Sequence, residues 1–168
     1  MVTGDGAMKS QQVKDIMERK VVACIVTDSV SLVAKKLRKS GISGMPVMDG
    51  DKLVGIITES DILRLLRNPE YSRKLWLPSP LELIEVPIRE LVGWVEMKKA
   101  LENIGNMPVR DIMTKQVYTI SPSDSLERAA EMMTKHDINR LPVIEGGKLV
   151  GIVTRGDIIA GLGGEGKK

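Results

Sequence analysis

With 168 residues, 42% of them apolar and 28% charged, the chain has room for one domain or for two small units sharing a core, and none for a catalytic domain beside a regulatory one. A single cysteine, Cys24, and a single histidine, His136, exclude an internal disulfide and a structural zinc site, so no metal is expected. No run approaches the roughly 18 apolar residues of a membrane span, and Met1 to Lys9 lacks the apolar core of a secretion signal, so a cytoplasmic protein is expected. The formal net charge of +3 leans weakly toward anionic partners, nucleotides as readily as nucleic acids.

Residues 1–8 read as a flexible leader. From there the chain repeats itself. Aligning residues 13–63 with residues 109–159, an offset of 109 − 13 = 96, gives 21 identities in 51 positions without a gap. The matches gather in VKDIM against VRDIM, MPV against LPV, and GDKLVGIITESDI against GGKLVGIVTRGDI, which is an internal duplication.

The first copy spans 9–67. A short extended run, Val21 to Val26, precedes Val30, Val33, Ala34 and Leu37, whose i, i+3, i+4, i+7 spacing predicts an amphipathic helix capped by Asp28 and stopped at Gly41. The Lys-rich positions Lys35, Lys36, Arg38 and Lys39 fall on its solvated side. Two β-rich runs follow, Met45 to Met48 and Leu53 to Thr58, joined as a hairpin through Asp49, Gly50 and Asp51. A second helix begins near Ser60. Residues 68–108 form a connector, punctuated by Pro69, Pro78, Pro80 and Pro87 and then patterned as a helix over about 88–104.

The second copy, 109–160, repeats this order. Val117 to Ile120 is extended; Leu126, Ala129, Ala130 and Met133 mark a helix capped by Asp124, with Glu127 at capping-box spacing and Asp137 at its stop. Leu141 to Ile144 and Leu149 to Thr154 form a hairpin through Gly146 and Gly147, and a last helix begins near Gly156. Residues 161–168 read as a flexible tail. Each copy is therefore βαββα. Phe is absent, so the core must come from Ile, Val, Leu and the ten Met.

Two copies with DIM at the start, a Pro-Val strand, and a terminal G-I-[IV]-T-x-x-D-I resemble the cystathionine-β-synthase (CBS) domain, and the tandem resembles a CBS pair, or Bateman module. The resemblance implies an α+β fold of two βαββα repeats packed with pseudo-two-fold symmetry, ligands such as AMP, ADP, ATP, S-adenosylmethionine or methylthioadenosine, and assembly as a homodimer. It also implies an adenine slot built from Val21, Val22, Ala23, Ser43, Gly44, Met45 and Pro46 in one copy. The matching positions in the other are Val117, Tyr118, Thr119, Asn139, Arg140, Leu141 and Pro142.

The residues themselves support a polar anchor beside that slot. Thr58 and Asp61, like Thr154 and Asp157, are spaced i, i+3 at a strand-to-helix junction and can face one cleft. A carboxylate accepts from two vicinal hydroxyls at once, which suits a ribose, and a helix N-terminus attracts phosphate. The plain alternative is that both aspartates only cap the first helical turn. Charge separates the copies: Lys135, His136, Arg140 and Arg155 stand opposite Lys39, Ser40, Gly44 and Glu59, so a phosphate is expected in the second copy.

No nucleophile elbow, P-loop, metal cluster or dinucleotide fingerprint is present, so neither an enzyme nor a catalytic cofactor is expected. The expectation is a regulatory module that binds an adenosine ligand, AMP first among them, and signals to an unidentified effector protein. Two alternatives compete: a sensor of S-adenosylmethionine or methylthioadenosine, and a nucleic-acid-binding or scaffold protein with vestigial clefts. The scarcity of aromatic residues for base stacking disfavours nucleic acid.

Overall fold

The computed structural model describes residues 11–67 and 98–162. The leader, the first thirty residues of the connector and the tail beyond 162 lie outside them, as does the 88–97 part of the expected connector helix. The elements in chain order are α1 (Val13–Ile16), β1 (Cys24–Ile25), α2 (Val30–Ser40), β2 (Gly44–Asp49), β3 (Lys52–Thr58) and α3 (Glu59–Arg67). After them come α4 (98–106), a 3-10 turn (Val109–Asp111), α5 (Leu126–Lys135), β4 (Arg140–Glu145), β5 (Lys148–Thr154) and α6 (Arg155–Leu162). Gly161 and Leu162, placed in the tail by sequence, belong to α6. Gly161 is buried there, where a Cβ would lie 3.1 Å from Ile16 Cγ2.

Two compact units emerge, and they do not coincide with the sequence repeats. Unit 1 joins the segment up to Val21 with Tyr118 onward; unit 2 runs from Val22 to Val117. The leading DIM segment of each copy thus folds with the strands and helices of the other copy. In unit 1, Val13 N–H donates to Asp124 O at 2.9 Å and Lys14 N–H to Pro122 O at 3.0 Å, while Glu18 and Ile152 exchange N–H···O bonds of 2.9 and 3.0 Å. In unit 2 the same bonds recur 96 residues along: Val109 N–H to Asp28 O at 2.8 Å, Arg110 N–H to Val26 O at 3.2 Å, and Thr114 and Ile56 exchanging bonds of 2.9 Å each. These exchanges pair the backbone groups of Ile152 on the outer edge of β5 and of Ile56 on that of β3.

Each unit is built on one antiparallel hairpin. In unit 2 the sheet order is β1-β2-β3, with β1 parallel to β2 and Gly44 opposite Thr58. In unit 1, β4 pairs with β5, Arg140 lies opposite Thr154, and a single parallel bridge from Ile120 to Val143 stands where β1 stands in unit 2. The prolines fit because of the bonding alternation. Ile56 directs its N–H and C=O to Thr114, so Pro46, its partner across β2, occupies a non-hydrogen-bonded pair that needs no N–H from it.

The helices form where the apolar spacing puts them. Val30, Val33 and Leu37 are buried on α2, and Leu126, Ala129 and Met133 on α5; Ala34 and Ala130 turn toward grooves beside α3 and α6. Their caps differ from expectation. The N-caps are Ser29 and Ser125, whose hydroxyls accept from Leu32 N–H and Arg128 N–H at 3.2 Å. Asp28 and Asp124, one residue earlier, instead accept from Ile25 N–H at 3.2 Å and Ser121 N–H at 2.9 Å and so hold the turn into the helix. Gly41 and Asp137 both take the left-handed conformation at the helix stops, with φ of 62° and 50°.

Each unit has a core of its own, built from the same kinds of residue. Val13, Ile16, Met17, Leu141, Val143 and Val153 are among those of unit 1, and Val33, Leu37, Met45, Val47, Ile57 and Val109 among those of unit 2. Burying one such side chain is worth about 1.5–3 kcal/mol. Cys24 belongs to the second set; burial and the nearby Asp28 carboxylate push its thiol up to about 11, which leaves it an inert core residue at neutral pH. In α4 the described part of the expected connector helix is present, with Ala100 and Ile104 buried and Leu101 exposed.

Candidate functional site

Both Thr-Asp pairs close into the same motif. Thr58 N–H and Oγ1–H donate to Asp61 Oδ2 at 2.9 and 2.7 Å, and Asp61 N–H donates back to Thr58 Oγ1 at 3.3 Å. At the other junction, Thr154 N–H and Oγ1–H donate to Asp157 Oδ2 at 2.9 and 2.7 Å, with Asp157 N–H to Thr154 Oγ1 at 3.3 Å. The spacing predicts this, because the last strand residue and the first turn of the helix share one corner. The capping reading is therefore right as far as Oδ2 is concerned.

The second carboxylate oxygen distinguishes the units. Asp61 Oδ1 accepts from Arg64 Nη2 at 3.1 Å and from Thr114 Oγ1 at 3.4 Å. Asp61 is only 4% exposed, whereas the Arg64 side chain is 70% exposed. In unit 1 the positions 96 residues from Thr114 and Arg64 are Glu18 and Ala160, so neither of these side-chain donors is repeated.

The remaining site residues assemble around each pair in different ways. Gly44 is paired with Thr58 across the hairpin, Glu59 N–H donates to Ser43 O at 3.0 Å, and Met45 and Pro46 are fully buried. Ala23 O accepts from Lys36 Nζ at 3.4 Å, and the same ammonium pairs with Asp28 at 2.8 Å. In unit 1, Arg140 is paired with Thr154, Arg155 N–H donates to Asn139 O at 3.1 Å, and Leu141 and Pro142 are buried. Tyr118 stacks on His136 with ring centroids 3.7 Å apart, and Thr119 is exposed. Val22, at the head of unit 2, is also exposed. The unit boundaries fall between Val21 and Val22 and between Val117 and Tyr118, so Val21 and Val117 each belong with the other copy's hairpin.

Arg155, expected to hold a phosphate, makes protein contacts of its own. It donates from Nε to Ile138 O at 3.1 Å and from Nη2 to Met133 O at 3.3 Å, with Asp137 at 3.6 Å. Its guanidinium is committed to the end of α5, on a groove lined also by Ala130, Thr134 and Ile158 and by neither Thr154 nor Asp157. Arg140, the first residue of β4, is largely buried. Sequence reasoning missed Arg64 and Thr114 altogether. Thr114 follows DIM directly, but only the exchange of leading segments brings it to Asp61. Among the described residues no group of His, Cys, Asp and Glu is arranged to hold a metal, and no helix is long and apolar enough to cross a membrane.

A doubled hairpin-and-helix unit carrying a Thr-Asp corner at each β-to-α junction matches one family over most of its length: the CBS domain, at residues 13–68 and again at 109–164. The chain belongs to the CBS-domain family. A 152-residue stretch is 42% identical to an uncharacterized protein of Methanocaldococcus jannaschii, MJ1426, covering 89% of this chain and 90% of that one. The CBS domain pair of protein MJ0100, solved in complex with 5′-methylthioadenosine and S-adenosyl-L-methionine, is 27% identical with a TM-score of 0.63, over 92% of this chain and 98% of that one. CBSX2 of Arabidopsis thaliana, solved in complex with AMP, is 25% identical with a TM-score of 0.64, over 90% of this chain and 95% of that one. As a CBS-pair protein the chain is built from two repeats of strands and helices, as the resemblance implied.

Proposed function

We propose that the chain is a regulatory module that binds an adenosine-containing ligand at its Thr-Asp corners, with AMP as the preferred ligand. The observation that carries this is the doubled corner itself. A buried or half-buried carboxylate accepts two hydrogen bonds from its threonine, and the aspartate N–H returns a third to the threonine hydroxyl, at a β-to-α junction. The similar pairs solved with AMP and with methylthioadenosine and S-adenosylmethionine support the ligand class. S-adenosylmethionine and methylthioadenosine share the ribose and adenine and remain the competing ligands. ADP and ATP share them as well.

No residue in either corner is arranged as a nucleophile or acid–base pair, which supports a sensing role passed on to an effector protein rather than catalysis. A cytoplasmic setting fits the unpaired buried thiol of Cys24. The test is a thermal-shift and calorimetric screen against AMP, ADP, ATP, S-adenosylmethionine, methylthioadenosine and generic DNA. A ligand at about 100 times its Kd adds about 2.7 kcal/mol to stability. Stabilisation by an adenosine ligand is expected; binding to DNA that persists at physiological salt, with no response to any adenosine ligand, favours the nucleic-acid alternative and removes this reading.

We further propose a homodimer through the helical faces. Leu63 on α3 and Ile159 on α6, equivalent by the 96-residue offset, are 59% and 69% exposed beside matching apolar grooves. Sedimentation at micromolar concentration is expected to show a dimer that Leu63→Glu with Ile159→Glu converts to monomer. A wild-type monomer contradicts it.

A further inference from the structure

We propose that Arg64 is the specificity-determining residue of unit 2, an exchangeable counter-ion that admits adenosine ligands carrying a phosphate and disfavours uncharged ones. The inference rests on the proposed function and deepens it. An ionised carboxylate offers about four acceptor positions. At Asp61 all four have donors: Thr58 N–H and Oγ1–H on Oδ2, Arg64 Nη2 and Thr114 Oγ1 on Oδ1. A ribose diol therefore binds Asp61 only by displacing two of them.

The displaceable pair is on Oδ1. The Thr58 bonds are short and locked by the return bond from Asp61 N–H to Thr58 Oγ1. The Thr114 contact is long at 3.4 Å, and Arg64 is a largely solvated i, i+3 partner whose pairing costs little to break. Once displaced, the guanidinium sits beside the ligand with its partner taken. A phosphate supplies the replacement anion, with charge-assisted and bidentate hydrogen bonds, whereas a neutral nucleoside leaves it uncompensated. Unit 1 has Ala160 and Glu18 at the corresponding positions, so neither side chain of this device is repeated there. It also gives unit 2 the cation that Gly44 and Glu59 do not.

The experiment is calorimetry with AMP and with adenosine on the full chain carrying Asp157→Ala, which leaves unit 2 as the working site, with and without Arg64→Ala or Arg64→Lys. Arg64 is exposed, so these variants should fold, and circular dichroism verifies it. Arg64→Ala is expected to weaken AMP by about tenfold while strengthening adenosine by a few-fold, and Arg64→Lys to keep part of the preference, since lysine retains the charge without the fork. Equal shifts for both ligands, or none for either, overturn the role of Arg64 while leaving the binding site standing. Loss of all binding in the Asp157→Ala parent shows that unit 2 is not a site, and absence of binding in the unmodified chain removes the functional reading itself; either outcome overturns the proposal too.

Discussion

Gly151→Val is expected to destabilise unit 1 by about 1–3 kcal/mol, because position 151 is where the leading segment of the first copy seats on the second. A Cβ at Gly151 would lie 2.7 Å from Met17 Sδ and 3.1 Å from Glu18 O. The sulfur could swing aside, but the carbonyl is fixed by its bond from Ile152 N–H at 3.0 Å. Gly55 in unit 2 is the same case, with Met113 Sδ at 2.5 Å and Thr114 O at 3.1 Å, so Gly55→Val should behave alike. Urea unfolding of the singles and of Gly151→Val with Met17→Ala tests the seating. Truncating Met17 removes the contact that valine displaces, so the double variant should lose less than the sum, by about 0.5–3 kcal/mol. Gly156 provides the contrast. Its Cβ would meet only Thr154 Oγ1 at 3.6 Å, so alanine there, inside α6, should be neutral or stabilising by up to about 1 kcal/mol. Strict additivity, or a mild Gly151→Val, would mean that the DIM methionines are not seated as described.

Removing both corner carboxylates should abolish adenosine-ligand binding whichever unit binds first. Each aspartate is an acceptor that a neutral side chain cannot replace, and losing one charged hydrogen-bond partner costs about 1.5–3 kcal/mol, or roughly ten-fold to more than a hundred-fold in affinity at the affected site. Asp157→Ala should therefore weaken one binding event, Asp61→Ala the other, and the double variant both. Stability must be followed in parallel. Alanine at 61 leaves Thr58 N–H and two hydroxyls without their acceptor, at about 1–3 kcal/mol if the N–H stays dry. Asparagine keeps a neutral acceptor for Thr58 and separates the folding cost from the binding cost. An Asp61→Ala, Asp157→Ala double variant that is folded and binds AMP as tightly as the unmodified chain would show that the corners are caps and nothing more.

Much of the architecture is legible in the sequence because it is local. The 96-residue repeat, the helix faces of Val30, Val33 and Leu37, the glycine turns of both hairpins and the Thr-x-x-Asp corners each depend on residues a few positions apart, where periodicity and turn chemistry act directly. What the sequence hides is non-local. Nothing in VKDIM states that it folds against the second copy's strands, since the two copies offer nearly the same edge and only chain geometry decides which one is met. The contact of Thr114 with Asp61 spans 53 residues and follows from that exchange. The contacts of Arg155 are equally hard to read from sequence: charge matching places it beside a phosphate, whereas in the structure its guanidinium bonds the Ile138 and Met133 carbonyls at the end of α5. The caps slipped by one residue because Asp28-Ser29 and Asp124-Ser125 each present two competent side chains in a row, and the aspartate is used by the turn before the helix.

The most direct measurement of the central claim is the change in backbone amide chemical shifts of the labelled protein on titration with AMP. Saturable shifts are predicted, largest at Thr58 and Asp61 in unit 2 and at Thr154 and Asp157 in unit 1, with the neighbouring Ser43, Gly44, Asn139 and Arg140 moving with them. The α2–α3 and α5–α6 grooves, around Arg38 and Thr134, should be little changed. Shifts confined to those grooves, or a spectrum unaltered at millimolar AMP, S-adenosylmethionine and methylthioadenosine, would contradict the assignment of the Thr-Asp corners as the adenosine-binding site.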